Sequence, residues 1–175
     1  MLALTIKDPT MTRRDLIQLL SILGIGPISA AAADSAALPA VPSPIVPLVL
    51  TDAQWKERLA PAAYKVLRHE GTEPAFTSPL NNEKRKGRFL CAGCDLPLFE
   101  SSTKYDSGTG WPSFFAPIAG AVATKTDFKL ILPRTEYHCV RCGGHQGHVF
   151  DDGPPPTHKR YCNNGVALKF VAEAA

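Results

Sequence analysis

The chain changes its hydrophobic rhythm three times. Residues 16–28 form an apolar stretch broken by Gln18, Ser21, Gly24, Gly26 and Pro27. Residues 34–50 are rich in Ala, Pro, Ser and Val with no regular period. Their prolines cannot continue a helix or a central strand, so an extended linker is expected. A helical period starts at Thr51. Thr51 and Gln54 have the spacing of a capping box, and Trp55 and Leu59 fall on one helix face. Pro61 suits the first turn of a second helix carrying Tyr64, Val66, Leu67 and Arg68, with Gly71 as its stop. The period then shortens. Segments 88–90, 96–99, 121–123, 128–132, 136–138, 148–150 and 166–170 are short, apolar and bounded by turn residues. They predict the strands of a small antiparallel β domain behind one or two helices, spanning 51–170.

Composition narrows the class. At 175 residues the chain suits one domain, and 45% hydrophobic with 20% charged residues is a globular balance. The net charge of +3 comes from scattered lysines and arginines with acids between them, so nothing points to nucleic acid. The N-terminal apolar stretch is too short and too interrupted for a stable membrane span. It follows Arg13 and Arg14 and precedes small residues from Ser29 to Ala33. That order reads as a signal peptide over 1–33, and the adjacent arginines point to the twin-arginine route. Export to the periplasm is the expectation, with membrane anchoring if the signal stays uncut. Met11, directly before the arginines, is an alternative start. A monomer is the default expectation.

The five cysteines carry the chemistry. Cys91-Ala92-Gly93-Cys94 and Cys139-Val140-Arg141-Cys142 are two Cys-x-x-Cys pairs. A two-residue gap lets both thiolates of a pair meet one ion from a tight turn, and two such knuckles close a tetrahedron. One structural zinc per chain, held by Cys91, Cys94, Cys139 and Cys142, fits this pattern. Disulfides, a redox pair and a tetrahedral iron site are the alternatives at this level, though no βαβ pattern supports the redox pair. Cys162 stands outside both pairs. It reads either as a buried structural thiol or as a reactive one. Arg160, two residues away, favours a thiolate. His145 and His148 supply the partners of an activated sulfur nucleophile, or else a second metal site or plain surface residues.

These residues together resemble methionine sulfoxide reductase B. The resemblance runs over 51–170 and is carried by Trp55, Tyr64-Lys65-Val66-Leu67-Arg68, Gly71-Thr72-Glu73 and the two cysteine pairs. It continues through Tyr105-Asp106-Ser107-Gly108-Thr109-Gly110-Trp111-Pro112-Ser113-Phe114, then 145–154 and Arg160-Tyr161-Cys162-Asn163-Asn164. It implies a mainly β fold of two small antiparallel sheets with short N-terminal helices, the zinc lying away from the catalytic centre. It implies that Cys162 is the nucleophile, that His145, His148 and Asn164 are catalytic and line a polar side, and that Trp111, Phe114 and Arg160 bind substrate. The implied substrate is the R epimer of methionine sulfoxide in proteins or peptides. Cys162 would attack the sulfur, become a sulfenic acid, and be restored by another thiol. Many relatives have a resolving cysteine where this chain has Thr109, so the implied reductant is external, a thioredoxin-like protein or a small thiol. Gly165, His158 and Gln146 stand where the family often has Ser, Gly and Leu. A non-catalytic zinc-binding module and a zinc hydrolase are the competing classes; the second needs an open metal position.

Overall fold

The computed structural model describes residues 37–129 and 132–174. The expected signal over 1–33 lies outside them. Two helices lead. In α1 (Asp52–Arg58), the Thr51 hydroxyl accepts from the Gln54 N–H at 3.3 Å, and Gln54 accepts from the Thr51 N–H at 2.8 Å. This reciprocal cap satisfies two N–H groups that the helix itself leaves unbonded. α2 (Pro61–His69) opens on proline and ends with Glu70, not Gly71, in the left-handed region at φ 51°. Trp55, Val66 and Leu67 are buried.

Among the described residues, nine strands follow: β1 (Gly87–Cys91), β2 (Pro97–Glu100), β3 (Lys104–Tyr105), β4 (Ser113–Phe114), β5 (Val122–Asp127), β6 (Arg134–Cys139), β7 (His145–Phe150), β8 (Arg160–Asn163) and β9 (Leu168–Ala172). They pair antiparallel in two sheets. One has the order β2-β1-β9 and the other β3-β4-β8-β7-β6-β5. The expected class, mainly β with two antiparallel sheets and short leading helices, is the observed one. Phe89, Leu96, Leu98, Phe99, Phe114 and Tyr137 form a shared core with Val66 and Leu67 of α2. Phe99 stacks on Phe114 with centroids 4.1 Å apart, and Phe89 meets Phe114 edge-on at 4.9 Å.

Two expectations change in detail. Of the apolar segment 128–132, residues 130–131 lie outside the described residues; Phe128, Lys129 and Leu132 lie in the β5–β6 connection, not in a strand, and Phe128 and Leu132 are exposed. Asp127 and Arg134 pair across that connection and close the hairpin. Val166 and Ala167 lie in a short 3-10 turn, and the last strand begins at Leu168. Residues 37–50 are irregular, as their prolines require, yet they are docked on the domain. The Leu48 N–H donates to the Arg141 carbonyl at 2.7 Å, and Arg88 donates to the Pro39 carbonyl at 2.6 Å. Among the described residues, no helix is long and apolar enough to cross a membrane.

Candidate active site and metal centre

The two cysteine pairs sit in two reverse turns. The first follows β1, where the Asp95 N–H donates to the Cys91 carbonyl at 2.9 Å. The second joins β6 to β7, where the Gly143 N–H donates to the Cys139 carbonyl at 2.8 Å. Arg58, Arg141 and Arg68 donate to the carbonyls of Gly93, Cys94 and Cys142, which fixes both turns. All four thiols are buried, and their sulfurs lie within 4.8 Å of one another. Cys91 and Cys142 are 3.6 Å apart, and Cys94 and Cys139 3.5 Å. A zinc tetrathiolate with bonds of about 2.3 Å sets its sulfurs about 3.8 Å apart, whereas a disulfide needs about 2.05 Å. The donor set is that of a closed structural zinc site with no position left for substrate.

Cys162 lies elsewhere, on β8. Its register partner on β7 is His148, and on β4 it is Ser113. It is half-buried and borders a cavity of about 120 Å³, lined among others by Thr72, Trp111, His148, Phe150 and Asn164. Burial pushes the Cys162 thiol above its ordinary range. The Arg160 charge and a hydrogen bond with the Thr109 hydroxyl act the other way without reversing it. Neither histidine is hydrogen-bonded to the sulfur among the described contacts, and His148 alone of the two lines the cleft.

Each histidine has a carboxylate partner. His148 Nε2 is 2.7 Å from Asp127, which also accepts from Arg134 at 2.7 Å. His145 Nδ1 is 2.7 Å from Glu136, which His138 shares at 2.9 Å. A carboxylate accepts only, so the proton sits on His148 Nε2 and His145 Nδ1, and the opposite nitrogen of each ring is left for other chemistry. Burial lowers the His148 pKa, partly offset by Asp127. Asp127 itself is held well below the usual carboxylate range, first by the Lys129 N–H and then by His148. Burial alone would raise Glu136, but its two histidine bonds leave it below its ordinary value.

Asn164 and Trp111 are placed by one buried residue, Glu73. The Glu73 N–H donates to Asn164 Oδ1 at 2.9 Å, and the Trp111 indole N–H donates to the Glu73 carbonyl at 3.0 Å. The Glu73 carboxylate accepts the N–H groups of Gly165 and Val166. Asn164 also donates Nδ2–H to the Gln146 carbonyl at 3.0 Å.

Cys162, His148, Asn164 and Trp111 thus meet at one cleft. His145 stands behind His148, with ring centroids 5.4 Å apart, and is 2% exposed. Arg160 lies beside the cleft, paired with Asp152 through two contacts of 2.8 Å and stacked over Phe150. Phe114 is a correction. Successive strand residues face opposite ways: Ser113 is opposite Cys162, so Phe114 points into the core, fully buried against Phe99, and does not line the cleft. His158 is an exposed turn residue at φ 56°, also outside the cleft lining. Asp127, Arg134, Glu136 and Phe150 were not anticipated from the sequence as site residues. The Asp127–Arg134 hairpin closure and the alternation of Arg134 with Glu136 on β6 are the signals that could have found them.

The arrangement offers a thiol to a small electrophile, with a polar wall of His148 and Asn164 on one side and aromatic surface on the other. The SelR domain model matches residues 59–172. The chain is 54% identical over 124 residues to peptide methionine sulfoxide reductase B1, chloroplastic, of Arabidopsis thaliana, covering 70% of this chain and 61% of that protein. It is 54% identical over 122 residues to the protein of the same name from Oryza sativa subsp. japonica, covering 69% and 57%. It is 53% identical over 121 residues to peptide methionine sulfoxide reductase MsrB of Agrobacterium fabrum, covering 69% and 90%. The chain spans about three fifths of the length of the two plant relatives. It belongs to the SelR family, that of methionine sulfoxide reductase B.

Proposed function

We propose that this chain reduces methionine-R-sulfoxide in oxidised proteins and peptides, with Cys162 as nucleophile and an external thiol as reductant. The observation that carries this reading is Cys162 at the cleft, opposite His148 and bordered by Asn164 and Trp111. The substrate group has one strong acceptor, the sulfoxide oxygen, and one apolar end, the methyl. Oxygen toward His148 and Asn164 with methyl toward Trp111 leaves the sulfur facing Cys162 for one epimer only.

The Cys162 thiolate attacks that sulfur. Two protons taken from solvent, relayed by His148 through the nitrogen that Asp127 leaves free, let the oxygen leave as water. Water then adds at the Cys162 sulfur as the new S–S bond breaks, which gives methionine and a cysteine sulfenic acid. One external thiol condenses with the sulfenic acid to a mixed disulfide and water, and a second thiol displaces it. The chain acts as a one-cysteine variant. Thr109 occupies the position of the resolving thiol, and the other four cysteines are buried in the metal cluster. The zinc, when bound, supplies structure rather than chemistry.

Separate R and S epimers of a methionine sulfoxide peptide, with dithiothreitol as reductant, test the reading on wild type and Cys162→Ser. R-only turnover, absent from the variant, is expected. Turnover of S, or turnover surviving in Cys162→Ser, would sink it. Export through the twin-arginine signal is part of the same proposal, supported by Arg13-Arg14 before the apolar stretch. Mass spectrometry of the mature N-terminus should find a cut near Ala33; an intact N-terminus in the cytosolic fraction would refute it.

A further inference from the structure

Gln146 is fully buried on β7, between His145 and Gly147. Its carboxamide reaches toward the metal centre: Nε2 is 3.4 Å from the Cys91 sulfur and 3.4 Å from the Gly144 carbonyl oxygen. Both neighbours are acceptors, the sulfur most strongly so once it is a metal-bound thiolate. A flipped amide would set its oxygen against two acceptors, so the chemistry fixes the nitrogen on this side. The amide oxygen, Oε1, finds no partner among the described residues. An apolar side chain of similar size would leave no such group unpaired, so a buried glutamine here needs compensation. A hydrogen bond to a charged sulfur supplies it.

The same residue also touches the cleft. Its main-chain carbonyl accepts two hydrogen bonds from Asn164, the N–H at 2.9 Å and the Nδ2–H at 3.0 Å. We propose that Gln146 is a positioning residue of the metal centre: its amide donates to the Cys91 thiolate, and its carbonyl passes that restraint to Asn164. Partners of this kind around a metal ligand hold the ligand's orientation and temper its charge, and their loss costs about 10–100-fold in metal affinity. The metal, though closed to substrate, then bears on the cleft through one residue.

The test uses zinc-loaded full-length protein, wild type beside Gln146→Leu and Gln146→Met. Both replacements keep volume and lack the donor; methionine also keeps the chain length and serves if leucine misfolds. Three readouts apply: zinc loss to a chromogenic chelator, the sulfur-to-metal charge-transfer bands of the Co(II)-substituted protein, and hydrogen exchange at the Asn164 amide. Zinc loss about 10–100-fold faster, displaced Co(II) bands and faster Asn164 exchange are expected. A purely packing role would leave the bands where they are. Zinc loss within twofold of wild type with unmoved bands overturns the sulfur contact. Unchanged Asn164 exchange overturns the link to the cleft. Failure of both variants to fold in saturating zinc makes Gln146 a packing residue and overturns the proposal as a whole.

Discussion

At the scale of single residues, two opposing influences meet on Cys162. Burial favours the neutral thiol; Arg160 and the Thr109 hydroxyl favour the thiolate, and burial wins. Only the thiolate attacks, so reactivity should rise with pH through a value above that of an ordinary cysteine. Removing the Arg160 charge should move that value up again. In Arg160→Ala, alkylation of Cys162 by iodoacetamide is expected to be slower than wild type at pH 7. The two rates should converge at a pH above both thiol pKa values, and Arg160→Lys should fall between them. A pH profile identical to wild type would show that Arg160 acts only through its pair with Asp152. Cys162 and His148 stand out in the sequence by residue type, as an unpaired thiol and a nearby histidine, whereas Asn164 and Trp111 are pointed to only by the family resemblance. It misplaced Phe114, whose type suits a substrate wall as well as a core. Only the β4–β8 register, with Ser113 opposite Cys162, decides which way the ring points. Asp127 and Glu136 escaped notice for the converse reason: a carboxylate on a strand looks like a solvated face until the neighbouring strand sets a histidine against it.

At the scale of elements, the site is a product of the β7–β8 pairing. β7 brings His148 opposite Cys162, and Gly147 opposite Asn163. The two backbones run so close that a Cβ on Gly147 would stand 1.9 Å from the Cys162 carbonyl oxygen. That oxygen is main chain and cannot swing away. Gly147→Ala must therefore push β8 from β7, and about 1–3 kcal/mol of overpacking strain is expected. Because the strain falls on the strand that carries the nucleophile, activity should drop more than stability predicts. The check is denaturant unfolding beside sulfoxide turnover; a variant that lost stability alone would show the pairing to be structural and no more. The capping box of α1 and most strands were legible from local pattern. The β5–β6 connection was not: its run of apolar residues reads as a strand, yet Asp127 and Arg134 close the hairpin before it. Pairing across strands, absent from a local period, made that choice.

At the scale of the whole molecule, the metal centre joins pieces that neither sheet could hold alone. Cys91 ends β1 of the three-stranded sheet, and Cys94 lies in the turn after it. Cys139 ends β6 of the six-stranded sheet, and Cys142 lies in the turn toward β7. A tetrathiolate therefore fastens the two sheets to each other. Without metal, four buried thiols stand about a van der Waals contact apart with nothing at their centre. Binding free energy at such a site is folding free energy. Chelation should then lower the unfolding temperature by well over the roughly 4–8 °C that a single kcal/mol produces in a small domain. Cys91→Ser should behave like the chelated protein even in added zinc, since three sulfurs and a weak oxygen do not complete the set. Cys162→Ser should keep the wild-type melting curve and one zinc per chain, because its sulfur belongs to the other site. Paired calorimetry and metal analysis on the three proteins separate the two roles. Zinc lost from Cys162→Ser, or a melting curve indifferent to chelator, would mean that the sulfurs have been divided wrongly between structure and chemistry.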